Sequence, residues 1–119
     1  MNQTPNNRRY DLEDRCLSFT RRVYAYVNRL PRTITNIENG KQLARSSGSV
    51  GANYIEANES LSKKDFIMRA KISKKEAKES RYWLELSDPT NESEAEKKLL
   101  INESTELMKI FGAILEKSK

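Results

Sequence analysis

The sequence predicts an all-α protein, an antiparallel up-and-down bundle of four helices. Three observations carry that expectation. Apolar residues recur at steps of three and four along most of the chain, the spacing of one helical face. Three prolines and four glycines in 119 residues are too few for an all-β chain of tight turns. Hydrophobic residues make up 36% and charged residues 33%, a balance that suits long amphipathic helices with solvated outer faces. The length sets one domain, expected over residues 11–119. The Asn-rich residues 1–10 are expected to form a disordered tail.

In the first segment Leu12, Cys16, Phe19, Val23, Tyr26 and Leu30 advance by four and three. Pro31 then ends the helix. Cys16 lies inside this stripe and reads as a small core hydrophobe, not a reactive thiol.

The second segment contains LARSSGSVGANYIEANES, residues 43–60, which at first sight is a Gly/Ser linker. Two registers argue otherwise. Leu43, Ser47, Val50, Tyr54 and Ala57 keep helical steps, and so do Ala44, Gly48, Gly51, Ile55 and Asn58. A loop has no reason to hold two such phases, so a continuous helix is predicted from about Thr35 to Glu59. An interior glycine costs a helix about 1 kcal/mol relative to alanine. Close approach of a neighbouring helix offsets that cost. Two small-residue stripes can face two neighbours, one in the chain and one in another subunit. As a phosphate loop the stretch fails: no Gly-Lys-Ser/Thr follows it, and the strands that flank a GxxG loop of the KH type are missing.

The third helix is predicted to start at Ser62, with Asp65 three residues on in a capping-box arrangement. Phe66, Ala70, Ser73, Ala77, Ser80, Leu84 and Ser87 form its stripe, and Asp88-Pro89 ends it. In the fourth, Leu100, Leu107, Ile110 and Ile114 mark one edge of the apolar face, and Met108, Phe111 and Leu115 the other.

The chain has no histidine and one cysteine. That excludes His-dependent triads, His-ligated zinc, Cys-rich metal sites and an intrachain disulfide. No cofactor, metal or enzymatic activity is expected. No apolar run approaches the ~18 residues of a membrane span, and the polar N-terminus lacks the apolar segment of a signal peptide. A cytoplasmic location away from membranes is the expectation. The net charge of +5 permits an anionic partner without demanding one.

DLEDRCLSF, the Leu30-Pro31 turn, QLARSSGSVGANYIEANES, SKKDF and KKEAKESRYWLEL together resemble the four-helix-bundle family encoded in intervening sequences of bacterial 23S rRNA genes. The resemblance covers about residues 11–117. Its most specific parts are Arg45, Ser49, Asn53 and Glu56 on the second helix, and Glu76, Glu79, Trp83 and Leu84 on the third. It implies a closed homopentamer. It also points to a related member, the accessory variability determinant of diversity-generating retroelements, a pentameric barrel that binds nucleic acid and a reverse transcriptase. An established activity is not among its implications for most members.

Two groups of polar residues are candidate sites. Arg45, Ser49, Asn53 and Glu56 form a line beside the small stripes, and Glu76 and Glu79 lie at helical spacing from Trp83. Opposite charges on neighbouring helices predict a half-buried network, Arg45 with Glu76 or Glu79, that serves structure or a subunit interface. The second group is basic. Residues 61–88 carry eight basic and five acidic side chains. Lys71, Lys74, Lys75, Lys78 and Arg81 share one side of the third helix, and Arg21 and Arg22 lie on the first. The plain reading is a solvated face; the sharper one is a surface for RNA or DNA phosphates. No aromatic interleaves the lysine run, so sequence-specific single-strand recognition is not indicated. The expected function is thus a non-enzymatic homo-oligomer that binds nucleic acid, with a protein-docking adaptor ring as the alternative. Low apolar content and a second helix with too wide a small-residue face for one neighbour favour assembly in either case.

Overall fold

Residues 7–119 are described by a computed structural model, with side chains from residue 12 onward. The tail expected over residues 1–10 lies outside that side-chain range, and the first helix takes in its last four residues. Four long helices follow one another: α1 (Asn7–Asn28), α2 (Ile34–Asn58), α3 (Lys63–Leu86) and α4 (Glu94–Lys117), the last entered through a 3-10 turn at Asn91–Ser93. There is no strand among the described residues.

The boundaries have local causes. Thr33 caps α2, its hydroxyl accepting from the Asn36 N–H at 3.1 Å. Ser62 caps α3 in the same way, accepting from Asp65 N–H at 3.1 Å. Asp65 also puts a carboxylate in the first turn, where the helix dipole favours it.

Each helix lies on its chain neighbours, and α1 also meets α4, the pair that approach least closely. Cross-helix bonds fix the directions. Thr20 Oγ1 donates to the Ser47 carbonyl at 2.9 Å, and Asn58 Nδ2 to Glu13 at 2.8 Å. Ser46 and Ser80 hydroxyls meet at 2.9 Å, and Ser73 Oγ donates to the Val50 carbonyl at 2.8 Å. Arg22 pairs with Glu96 and Arg15 with Glu103. In every pair the residue numbers run oppositely, so adjacent helices are antiparallel.

The double stripe on α2 is continuous helix. Leu43, Ser47, Val50, Tyr54 and Ala57 are buried. The companion stripe is only partly covered, and Ile55 is exposed. No residue among those described has a positive φ, so the glycines of α2 serve for space and not for backbone freedom. A Cβ on Gly51 would stand 3.0 Å from Cys16 Cβ, and one on Gly40 3.0 Å from Val27 Cγ1. Gly48 is different: a Cβ there would meet only the Tyr24 hydroxyl, at 3.7 Å.

The interior is filled by Phe19, Tyr26, Leu43, Leu84, Leu100, Leu107 and Phe111, each contributing about 1.5–3 kcal/mol when fully buried. Tyr54 and Phe111 meet edge to face with centroids 5.5 Å apart. Two expectations shift in detail. The buried seam of α4 is Leu100, Ser104, Leu107 and Phe111; Met108, Ile110, Ile114 and Leu115 are only partly covered. Ser104 can take a seam position because its hydroxyl donates back to the Ile101 carbonyl at 2.7 Å. Phe66, expected in the α3 stripe, is also only partly buried, since it lies in the first turn at the end of the bundle.

The opposite end is stapled. Asn36 Nδ2 donates to the carbonyls of Pro31 and Asp88 at 3.0 and 2.9 Å, while its Oδ1 accepts from Asp88 N–H at 3.0 Å. Tyr26 and Ser87 share a 2.5 Å hydrogen bond, and Lys97 Nζ donates to the Ser87 carbonyl at 2.8 Å. Together they tie the α1–α2 turn to the α3–α4 turn.

Candidate nucleic-acid interface

α3 turns Ala70, Ser73, Ala77, Ser80 and Leu84 inward. Helical geometry therefore puts Lys64, Lys71, Lys75, Lys78 and Tyr82 on the outward crest, and all five are exposed. Along the axis Lys71, Lys75 and Lys78 rise by ~6 and ~4.5 Å. Among the described residues no carboxylate pairs with any of these four lysines.

The other basic candidates are placed differently. Lys74 is exposed but leans across α4, its Nζ 3.5 Å from where a Cβ on Gly112 would stand. Arg81 is half-buried and pairs with Glu85 one turn on, at 3.6 Å. Arg22 is engaged by both oxygens of Glu96 at 3.1 Å. Arg21 is exposed on α1, but α1 and α3 occupy opposite corners of the bundle. Arg21 and Arg22 therefore do not extend the lysine row within one chain.

The structure brings Arg45, Glu76 and Glu79 together across α2 and α3. Arg45 Nη2 donates to Glu79, and its Nη1 lies 3.6 Å from Glu76. Burial raises the Glu76 carboxyl above the usual range; Arg45 opposes this and Glu79 adds to it. Glu76 Oε1 is buried without a hydrogen-bond partner among the described residues. The rest of the polar line goes elsewhere. Asn53 accepts from Arg69 Nη1 at 3.0 Å and donates to the Ser49 carbonyl at 2.9 Å. Glu56 faces solvent. Trp83 packs against the core, its indole N–H buried and without a partner among the described residues, its ring edge to face with Tyr82 at 5.0 Å.

Two features of the surface and the turns stand out only in the folded chain. Tyr82 sits one turn past the lysine run, and its step of four from Lys78 was the available signal. Asn36 carried no signal, because its partners Pro31 and Asp88 converge only once the bundle has formed.

Among the described residues no three Cys, Asp or Glu side chains gather as a metal site. Cys16 is fully buried and desolvation pushes its thiol up to about 12, which keeps it protonated and inert. Among the described residues no helix is long and apolar enough to cross a membrane.

Comparison with known proteins gives one consistent answer. The model of a family described as 23S rRNA-intervening sequence protein matches residues 8–113. Among solved structures, the chain is similar to a protein of unknown function from the S23 ribosomal protein family of Bacteroides thetaiotaomicron VPI-5482. The two share 32% identity over 91% of this chain and 97% of that one, with a TM-score of 0.76. No curated protein matches.

Proposed function

Because the chain belongs to the 23S rRNA-intervening sequence protein family, and a similar solved protein is itself of unknown function, we propose from the surface of α3 that it is a non-enzymatic, homo-oligomeric nucleic-acid-binding protein. The observation that carries the reading is the crest of Lys64, Lys71, Lys75 and Lys78, exposed and unpaired among the described residues. Lysines with no acidic partner lose no internal ion pair when they meet phosphate, and they release counterions from the nucleic acid. One row on one helix binds weakly. Several copies in a closed assembly bind tightly by effective concentration.

Assembly as a homopentamer is part of the proposal. Its support is the second stripe of α2. Ala44 and Gly48 stay partly open, with exposed Ile55, Tyr24 and Leu17 on the same two helices. An apolar surface this wide on a 13.8 kDa chain fits a subunit contact. Sedimentation of dilute protein checks it, and a stable monomer would remove the pentamer.

Binding is tested by titrating the purified protein against RNA and duplex DNA over a range of salt. The log of affinity should fall with log salt by about 0.9 for each duplex phosphate neutralised. Changing Lys71, Lys75 and Lys78 to Glu should abolish binding and leave helix content intact, since lysine and glutamate have similar helix propensities. The same exposed apolar residues favour a second reading, an adaptor ring that docks a protein such as a reverse transcriptase. Salt-insensitive capture of one protein, with no retardation of nucleic acid at low salt, would favour that reading.

A further inference from the structure

The lysine crest is not purely basic. Tyr82 closes it, 56% exposed, and Met68 and Leu86 border it on one flank at 47% and 46%. Ile67, partly buried, borders the other. The Tyr82 ring is held by its edge-to-face contact with Trp83, and Trp83 is anchored against the core. An exposed aromatic fixed in this way has a ready face and little rotamer entropy left to lose.

Resting on the nucleic-acid reading above, we infer that the α3 crest takes unpaired single strands, with a base stacked on Tyr82 and the backbone phosphates on Lys71, Lys75 and Lys78. The reason is what each partner can offer. In a duplex the base faces are hidden in the stack, so Tyr82, Met68 and Leu86 would meet only sugars and phosphates. A single strand presents both charges and open π-faces, and stacking tolerates any base. A bilayer fits less well. A helix lying in a membrane interface centres its apolar stripe, whereas here the lysines hold the centre and the apolar side chains the flanks.

The test uses the full chain at low salt, with fluorescent oligothymidylate, oligouridylate and a duplex of equal length. Single strands should bind more tightly than the duplex, with a salt slope nearer 0.7 than 0.9 per phosphate. Trp83, the single tryptophan, should change its emission on single-strand binding. Tyr82→Ala should weaken single-strand binding by about 5- to 150-fold, the range for loss of one stacked base, and weaken duplex binding far less. Tyr82→Phe should retain it. Both variants are on an exposed helical position and should fold. Duplex binding equal to or tighter than single-strand binding overturns the inference, as does a Tyr82→Ala protein that binds single strands like the wild type. In those cases the phosphate-binding reading survives. Failure to bind any of the three probes overturns both. Co-sedimentation with phosphatidylcholine–phosphatidylglycerol vesicles, with no affinity for the oligonucleotides, assigns the crest to anionic lipid and overturns both as well.

Discussion

α2 and α4 stand across the bundle from one another and build the core in opposite ways. α2 buries Asn36, Gly40, Ser46, Ser47 and Ala57 besides Leu43, Val50 and Tyr54. α4 buries Leu100, Leu107 and Phe111, with Ser104 between them. The small helix lets its neighbours come close, so that Cys16 reaches Gly51 and Ser80 reaches Ser46. The large helix fills the space left in the middle. Two kinds of sensitivity follow: α2 should suffer from added volume, and α4 from lost volume.

The largest expected effect is on α4. Phe111 is fully buried and packs on Tyr54, so Phe111→Ala should cost about 3–5 kcal/mol. Urea unfolding at one fixed protein concentration measures it, since assembly would otherwise shift the midpoint. A loss below about 1 kcal/mol would show that α2 can collapse into the space, and the division of labour would be wrong.

Next comes a pair of glycines three residues apart. Gly51→Leu forces a side chain against Cys16 and should cost about 1–3 kcal/mol. Gly48→Ala should instead stabilise the isolated subunit, by up to about 1 kcal/mol, because it removes the helix penalty with only the Tyr24 hydroxyl nearby. Equal and opposite outcomes from neighbouring positions would sharpen the picture of a companion stripe on α2 that is closed at Gly51 and open at Gly48. If both substitutions destabilise, something else covers Gly48.

That contrast shows how much of the molecule was legible in the sequence. The two phases of α2 were readable because small residues at steps of three and four survive any change of viewpoint. Where along the second phase a neighbour closes in was not readable. Gly48 and Gly51 look alike on paper, and only the course of α1 separates them, by placing Cys16 at one and the end of Tyr24 at the other. The same holds for the candidate site. Lysine spacing on α3 was plain, and so was the opposition of Arg45 to Glu76 and Glu79. That Arg22 is engaged by Glu96, or that Asn53 takes Arg69, depended on how each helix is rotated against its neighbour in the bundle.

A smaller effect concerns Glu76, on α3 beside α2. Its carboxyl is raised by burial, so the folded state favours the protonated form. The contribution to stability is fully present below the ordinary glutamate value, about 4.3, and is lost as pH rises through the raised folded value. Glu76→Gln mimics the protonated form, while Glu79 still holds Arg45. The variant should therefore gain on the wild type between acidic and neutral pH. Denaturation midpoints compared across that window read the sign directly, and a wild type that gains on the variant would place the Arg45 attraction above desolvation.

The smallest effect belongs to the α1–α4 seam, where the helices approach least and charge replaces packing. Arg15 reaches Glu103 through two hydrogen bonds at 2.7 and 2.8 Å, and the arginine side chain is 41% exposed. The geometry is good, but solvent screens the pair, and exposed pairs typically yield about 0.2–1 kcal/mol. A double-mutant cycle with Arg15→Ala and Glu103→Ala isolates the coupling from whatever each side chain does alone. It should be favourable and shrink as salt is raised, since the Debye length falls from about 10 Å at 0.1 M to about 3 Å at 1 M. The Gly51→Leu penalty, a matter of volume, should not respond to salt in the same way. A coupling as large as that penalty, or one indifferent to salt, would mean the seam is closed to water. α1 would then be locked to α4 as firmly as to α2.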